Sequence, residues 1–146
     1  MTRLEALSAL RTIPKVEKIL KRASALSLHD SVYEIYCARF TLNGHARDAG
    51  IHEPTPYSLQ ESLWVSWIKV ANPEATYTEI IEAYQLFEDL KQQYNRCTEE
   101  VTRQVGTKIP ITTRASMVVE ILHGKFPMFA VDTIEKYSWD YLISNR

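Results

Sequence analysis

Residues 76–106 read TYTEIIEAYQLFEDLKQQYNRCTEEVTRQVG and contain the longest regular pattern of the chain. Its apolar side chains recur in alternating steps of three and four residues, at Ile80, Ala83, Phe87, Leu90, Tyr94, Cys97 and Val101. This spacing places them along one face of a helix, as an a/d seam of about three heptads. Thr76 and Glu79 form an S/T-x-x-E capping box, and Gly106 is a typical stop. The stretch therefore predicts a helix over 77–105.

A helix of this length spans about 40 Å, which is more than a compact domain of this size needs. It is either the central helix of the fold or a surface that meets another chain. The second alternative predicts a protein interface at Phe87, Leu90 and Tyr94, formed with a second copy of the chain or with another protein.

The rest of the chain also has helical spacing, with four glycines in 146 residues and no useful stretch of strand alternation. We expect an all-α fold, a single domain over 1–146 with about six or seven helices around the long one. The predicted helix starts are a capping box at Thr2–Glu5, Pro14, Asp30 for a helix ending near Asn43–Gly44, Ser58, and Thr112 or Thr113. The predicted core aromatic residues are Trp64, Trp67, Phe87, Tyr94 and Trp139.

The amino-acid composition limits the classes of protein to which the chain can belong. The chain is 45% hydrophobic and 24% charged, which is typical of a globular protein. No apolar stretch approaches the roughly 20 residues that cross a bilayer, and no apolar signal region is present, so we expect no membrane association and a cytoplasmic location. Cys37 and Cys97 lie in helical patterns without a CxxC or Cys/His cluster, which predicts buried thiols and no metal or cofactor.

The net charge of −1 hides a segregation of charge along the chain. Residues 1–25 hold six basic and two acidic residues, a net charge of +4, whereas residues 74–100 hold two basic and seven acidic residues, a net charge of −5. In the predicted helix 14–26, one face is apolar and the other carries Lys15, Lys18, Lys21 and Arg22. Such a face contacts phosphates or an acidic protein surface, or it is simply solvated.

Residues 41–57, TLNGHARDAGIHEPTPY, allow three further interpretations. Ala46–Ile51 resembles the end of the first helix and the turn of a helix-turn-helix, and Pro54–Tyr57 stands where bacterial DNA-binding modules begin the recognition helix. This resemblance implies nucleic-acid binding by segment 41–60, with Arg47 as a further contact. The plain alternative is a proline-bounded loop between two packing helices. His45, Asp48 and His52 have a spacing that metal ligands on one helical face would share.

Arginine followed by histidine after a short interval also resembles the HEPN family of all-α ribonucleases. The pattern occurs at Arg47–His52, and again at Arg39–His45 and Arg22–His29. The resemblance implies RNA cleavage, in which the arginine holds a phosphate and the histidine transfers a proton. The motifs of zinc proteases, P-loop proteins, dinucleotide-binding folds and nucleophile elbows are missing from the sequence.

These observations favour a non-enzymatic interaction or regulatory protein that acts through the long helix and the charged faces. A DNA- or RNA-binding regulator that uses helix 14–26 and segment 41–60 is the second hypothesis, and a HEPN-like ribonuclease is the third.

Overall fold

The computed structural model describes residues 1–144, and this part of the chain is helical without a strand. It contains eight α-helices, with a short 3-10 turn at Leu10–Thr12 after the first. The helices are α1 Arg3–Ala9, α2 Pro14–Ser24, α3 Leu28–Cys37, α4 Arg39–Asp48, α5 Leu63–Ala71, α6 Tyr77–Val105, α7 Ile111–Lys125 and α8 Val131–Ser144. The predicted all-α class is therefore confirmed. None of the described helices is long and apolar enough to span a membrane.

Contacts within the chain divide it into two compact units, Met1–Gln85 and Leu86–Arg146. The first unit contains α1 to α5 and the first residues of α6, and the second contains the remainder of α6 with α7 and α8. The organisation of the whole chain as one domain stays a prediction.

In the first unit, α5 is the central helix. It packs against α1, α2, α3 and α4, and α2 packs against α3. Because α5 is apolar on most of its circumference, it buries Trp67 and Ile68 completely together with Val65. The opposing faces contribute Leu7, Leu20, Ile35 and Leu42, all fully buried.

In the second unit, α6, α7 and α8 enclose a core that is rich in aromatic rings. Phe87 of α6 lies 6.4 Å from Phe129 and 6.1 Å from Tyr137, measured between ring centroids. Tyr94, two turns further along α6, lies 5.3 Å from Tyr137 and 4.7 Å from Tyr141. The tilted and edge-on geometries are those that aromatic pairs prefer.

The long helix has the predicted bounds. The Thr76 backbone N–H donates to Glu79 Oε1 at 2.9 Å, and the Glu79 N–H donates to Thr76 Oγ1 at 3.1 Å, so the capping box is reciprocal. At the other end Gly106 has a φ of 81°, the left-handed conformation in which glycine ends helices. The predicted starts at Thr2 and Pro14 are also confirmed.

The predicted third helix, from Asp30 to Asn43–Gly44, is wrong because the structure has two helices in its place. Ser27, and not Asp30, is the N-cap of α3, since its hydroxyl accepts from the Asp30 N–H. The helix ends at Cys37, and α4 begins two residues later. At this break the Arg39 guanidinium donates to the Tyr36 carbonyl at 2.7 Å, one of the ways in which carbonyls at a helix end are satisfied.

Three further predictions are corrected. α5 starts at Leu63 and not at Ser58, because Ser62 accepts from the Val65 N–H and the Glu53 carboxylate accepts from the Leu63 N–H. α7 starts at Ile111, before either predicted threonine, with Pro110 at its N-cap. Cys37 is exposed and not a buried thiol, whereas Cys97 is partly buried and burial raises its pKa.

Candidate functional site

The predicted interface residues of the long helix lie inside the second unit. Phe87 and Leu90 are fully buried, and Tyr94 is 1% exposed. With this chain folded as described, none of the three offers a surface on which another protein could pack. Contact with a second chain at these positions stays a prediction, and it requires the helices that now cover them to separate.

Tyr94 also makes a buried polar contact with α8. Its hydroxyl and that of Ser138 share a hydrogen bond of 2.6 Å. Burial raises the pKa of the Tyr94 phenol above its ordinary value, because the phenolate would lose its hydration. The pair therefore gives each of the two buried hydroxyls a hydrogen-bond partner.

Segment 41–60 is not a helix-turn-helix. α4 ends at Asp48, Gly50 takes a φ of 79°, and the chain then runs without a helix until Leu63. The stretch that would form the recognition helix contains Pro54 and Pro56, and the Thr55–Pro56 peptide bond is cis. The interpretation as a proline-bounded loop is the one that the structure supports.

The same loop separates the residues proposed for a nuclease or a metal site. Arg47 is exposed at the end of α4, whereas His52 is exposed in the loop, where its carbonyl accepts from Arg3 at 2.7 Å. His45 and Asp48 belong to α4 but His52 does not, so the three do not share a helical face. Among the described residues, no cluster of three His, Cys, Asp or Glu side chains is placed to hold a metal ion.

The basic face of α2, defined as Lys15, Lys18, Lys21 and Arg22, is formed as predicted. All four residues are exposed. On the opposite side of the helix, Val16, Leu20 and Ala23 are fully buried and anchor it to the first unit. Within the described chain no carboxylate forms an ion pair with any of the four cations. Glu17 of the same helix pairs with Arg11 instead, at 3.2 Å. Arg47 belongs to α4, outside this face.

A second candidate site is a cleft in the second unit, which the sequence did not reveal. It has a volume of about 340 Å³. Its walls come from α6, the start of α7 and the end of α8, and are formed by Tyr94, Thr98, Thr102, Ile111, Thr112, Arg114, Ala115, Val118, Trp139, Tyr141 and Leu142. A smaller cleft of about 190 Å³ continues from it between α7 and α8.

Trp139 forms part of the wall of both clefts and is 56% exposed, so its prediction as a core residue is wrong. Ile134 and Ser138 are buried on the inner face of α8. Trp139 follows Ser138, so its side chain points about 100° further around the helix. The helical period alone could have indicated that Trp139 points away from the core, because Ile134 and Trp139 are five residues apart and residues on one face are three or four apart.

Arg114 is the only cation among the residues that form the larger cleft. Its Nε donates to the Ile109 carbonyl at 3.1 Å, and its Nη1 donates to Thr102 Oγ1 at 3.0 Å. No carboxylate of the described residues forms an ion pair with it. The cleft therefore combines an apolar body with a positioned positive charge.

Comparisons of the chain with protein-family models, with curated proteins and with solved structures gave no match.

Proposed function

We propose that the protein is a non-enzymatic interaction or regulatory protein that binds an acidic partner through the basic face of α2. The observation that carries this proposal is the exposure of Lys15, Lys18, Lys21 and Arg22 on a helix whose other face is fixed in the core. The cations of one such helix lie within about 10 Å along its axis, so they can meet several carboxylates together.

An acidic protein is favoured over a nucleic acid as the partner. Proteins that bind nucleic acids without a dedicated reading element rely on a strongly basic surface. This chain has a net charge of −1, and segment 41–60 lacks a recognition helix. Residues 74–100 carry seven carboxylates, so a second copy of the chain could offer an acidic stretch of this kind to α2. The predicted cytoplasmic location is part of the same proposal.

Fluorescence anisotropy with a labelled Glu/Asp-rich peptide tests the proposal. We expect binding that weakens as salt is added, because exposed charge pairs are screened. Lys15→Glu, Lys18→Glu and Arg22→Glu together should weaken it at least about tenfold, at roughly 0.5 kcal/mol for each lost pair. The matched control replaces the exposed cations Arg96, Lys108 and Lys125 by Glu, which changes the net charge equally. Equal losses in both variants would reduce the effect to net charge and refute the assignment to α2.

A DNA- or RNA-binding regulator is the second candidate, because the same four exposed cations can replace counterions on a phosphate backbone. Titration of duplex DNA and single-stranded RNA in the same assay separates the two functions. Tighter binding of a nucleic acid than of the acidic peptide, with a slope of up to about −4 in log affinity against log salt, would favour this candidate.

A further inference from the structure

We propose that the larger cleft of the second unit binds a small anionic amphiphile, a monocarboxylate with an unbranched apolar chain. The proposed function concerns α2 in the first unit, so this inference is independent of it. Its basis is the combination of an open apolar cleft of about 340 Å³ with a positioned, uncompensated cation at Arg114.

The body of the cleft suits an apolar chain. Trp139, Ala115 and Leu142 line both the larger cleft and its continuation between α7 and α8, so one apolar path connects the two. Trp139 is 56% exposed, which leaves a broad aromatic surface open to solvent at this path. Covering it with an alkyl chain removes apolar area from water on both partners.

One end of the cleft suits a carboxylate. Two hydrogen bonds fix the Arg114 guanidinium and leave Nη2 without a described partner, available to a bound anion. Thr102 Oγ1 accepts from Arg114, so its own proton can be donated to the same anion. The residues that form this cleft include no Asp or Glu, which would repel an anion.

The start of α7 adds a second positive contribution at the same end. Pro110 provides no side-chain cap, and the first turn of α7 has no acidic residue. The N–H groups and the positive end of the helix dipole are therefore uncompensated beside Thr112, which lines the cleft. Thr112 lines both clefts, but the charged residue of the larger cleft is Arg114 and that of the smaller cleft is Glu135. An anionic head at Arg114 with an apolar tail along Trp139 and Leu142 fits this arrangement better than a cationic amphiphile does.

The test uses the full chain with sodium decanoate as the probe, below the concentration at which it forms micelles. Binding is measured by isothermal titration calorimetry and by the NMR shift of the Trp139 indole N–H. We expect saturable one-to-one binding that tightens about fourfold with each added methylene from octanoate to decanoate. Decyltrimethylammonium, which has the same chain and the opposite charge, should bind at least about tenfold more weakly.

Variants locate the binding in the cleft. Arg114→Met should weaken decanoate binding at least about tenfold, Arg114→Lys should recover part of the loss, and Ala115→Leu should block the apolar path. Arg103→Met is the matched control, because Arg103 is exposed on α6 and pairs with Glu100. Absence of saturable decanoate binding, equal affinity for the two amphiphiles, or unchanged affinity in Arg114→Met would each overturn the proposal and leave the cleft to an uncharged ligand or a protein segment.

Discussion

Replacement of Phe87 by alanine distinguishes a seam that is internal core from one that joins two chains. Phe87 is fully buried, and its ring packs against Phe129 and Tyr137. Removing a buried phenylalanine ring costs about 3–5 kcal/mol, which is a large part of the 5–15 kcal/mol that stabilises a typical domain. For a chain of this size we expect the melting temperature to fall by about 6–20 °C.

The assay combines urea denaturation, followed by circular dichroism, with light scattering on a sizing column. The matched control is Phe40→Ala on α4, because Phe40 is 74% exposed, with the Arg39 guanidinium 4.5 Å from its ring centroid. This control should cost less than about 1 kcal/mol. If Phe87→Ala instead leaves stability unchanged but converts a dimer into a monomer, the seam is intermolecular and the described core is wrong.

Four further predictions concern the polar contacts and ends of α6. Tyr94→Phe should cost about 1–2 kcal/mol in urea denaturation because it leaves the buried Ser138 hydroxyl without its partner, and the double variant with Ser138→Ala should cost less than the sum of the single changes. Because the pKa of Tyr94 is raised on folding, stability should be intact below pH 10 and fall as pH rises beyond it; a pH-independent Tyr94→Phe difference would contradict this. Thr76→Ala should raise the lowered pKa of Glu79 only part of the way in an NMR titration, since the backbone N–H at position 76 still donates to that carboxylate. Gly106→Ala should destabilise the chain by about 1–2 kcal/mol in thermal denaturation, because its φ of 81° is unfavourable for a residue with a Cβ; equal stability would show that the turn relaxes.

The all-α fold class and the two ends of the long helix could be predicted because they depend on local chemistry. The reciprocal bonds of Thr76 and Glu79 and the left-handed Gly106 are interactions within a few residues, which the sequence displays directly. The break between α3 and α4 could not be predicted in this way. Its side-chain bond from Arg39 to the Tyr36 carbonyl has no consensus pattern, and the apolar spacing continues across it to Phe40.

The basic face of α2 was predictable for the same local reason, since it depends on one helix and its period. The cleft was not, because its walls come from three helices that are separate in sequence. Arg114 is one of nine arginines, and only the fold brings Thr102 to its guanidinium and leaves Trp139 exposed nearby. The predicted interface at Phe87 shows the converse difficulty, because the same heptad spacing describes a seam between two chains and a seam within one.

The central claim is that α2 binds an acidic partner, and NMR mapping tests it most directly. Titration of the labelled Glu/Asp-rich peptide into isotope-labelled protein reports every backbone amide at once. We predict that the largest shifts occur at Lys15, Lys18, Lys21, Arg22 and their neighbours in α2, and that they diminish as salt is raised. Shifts confined to other surfaces, or a spectrum unchanged even at low salt, would contradict the claim.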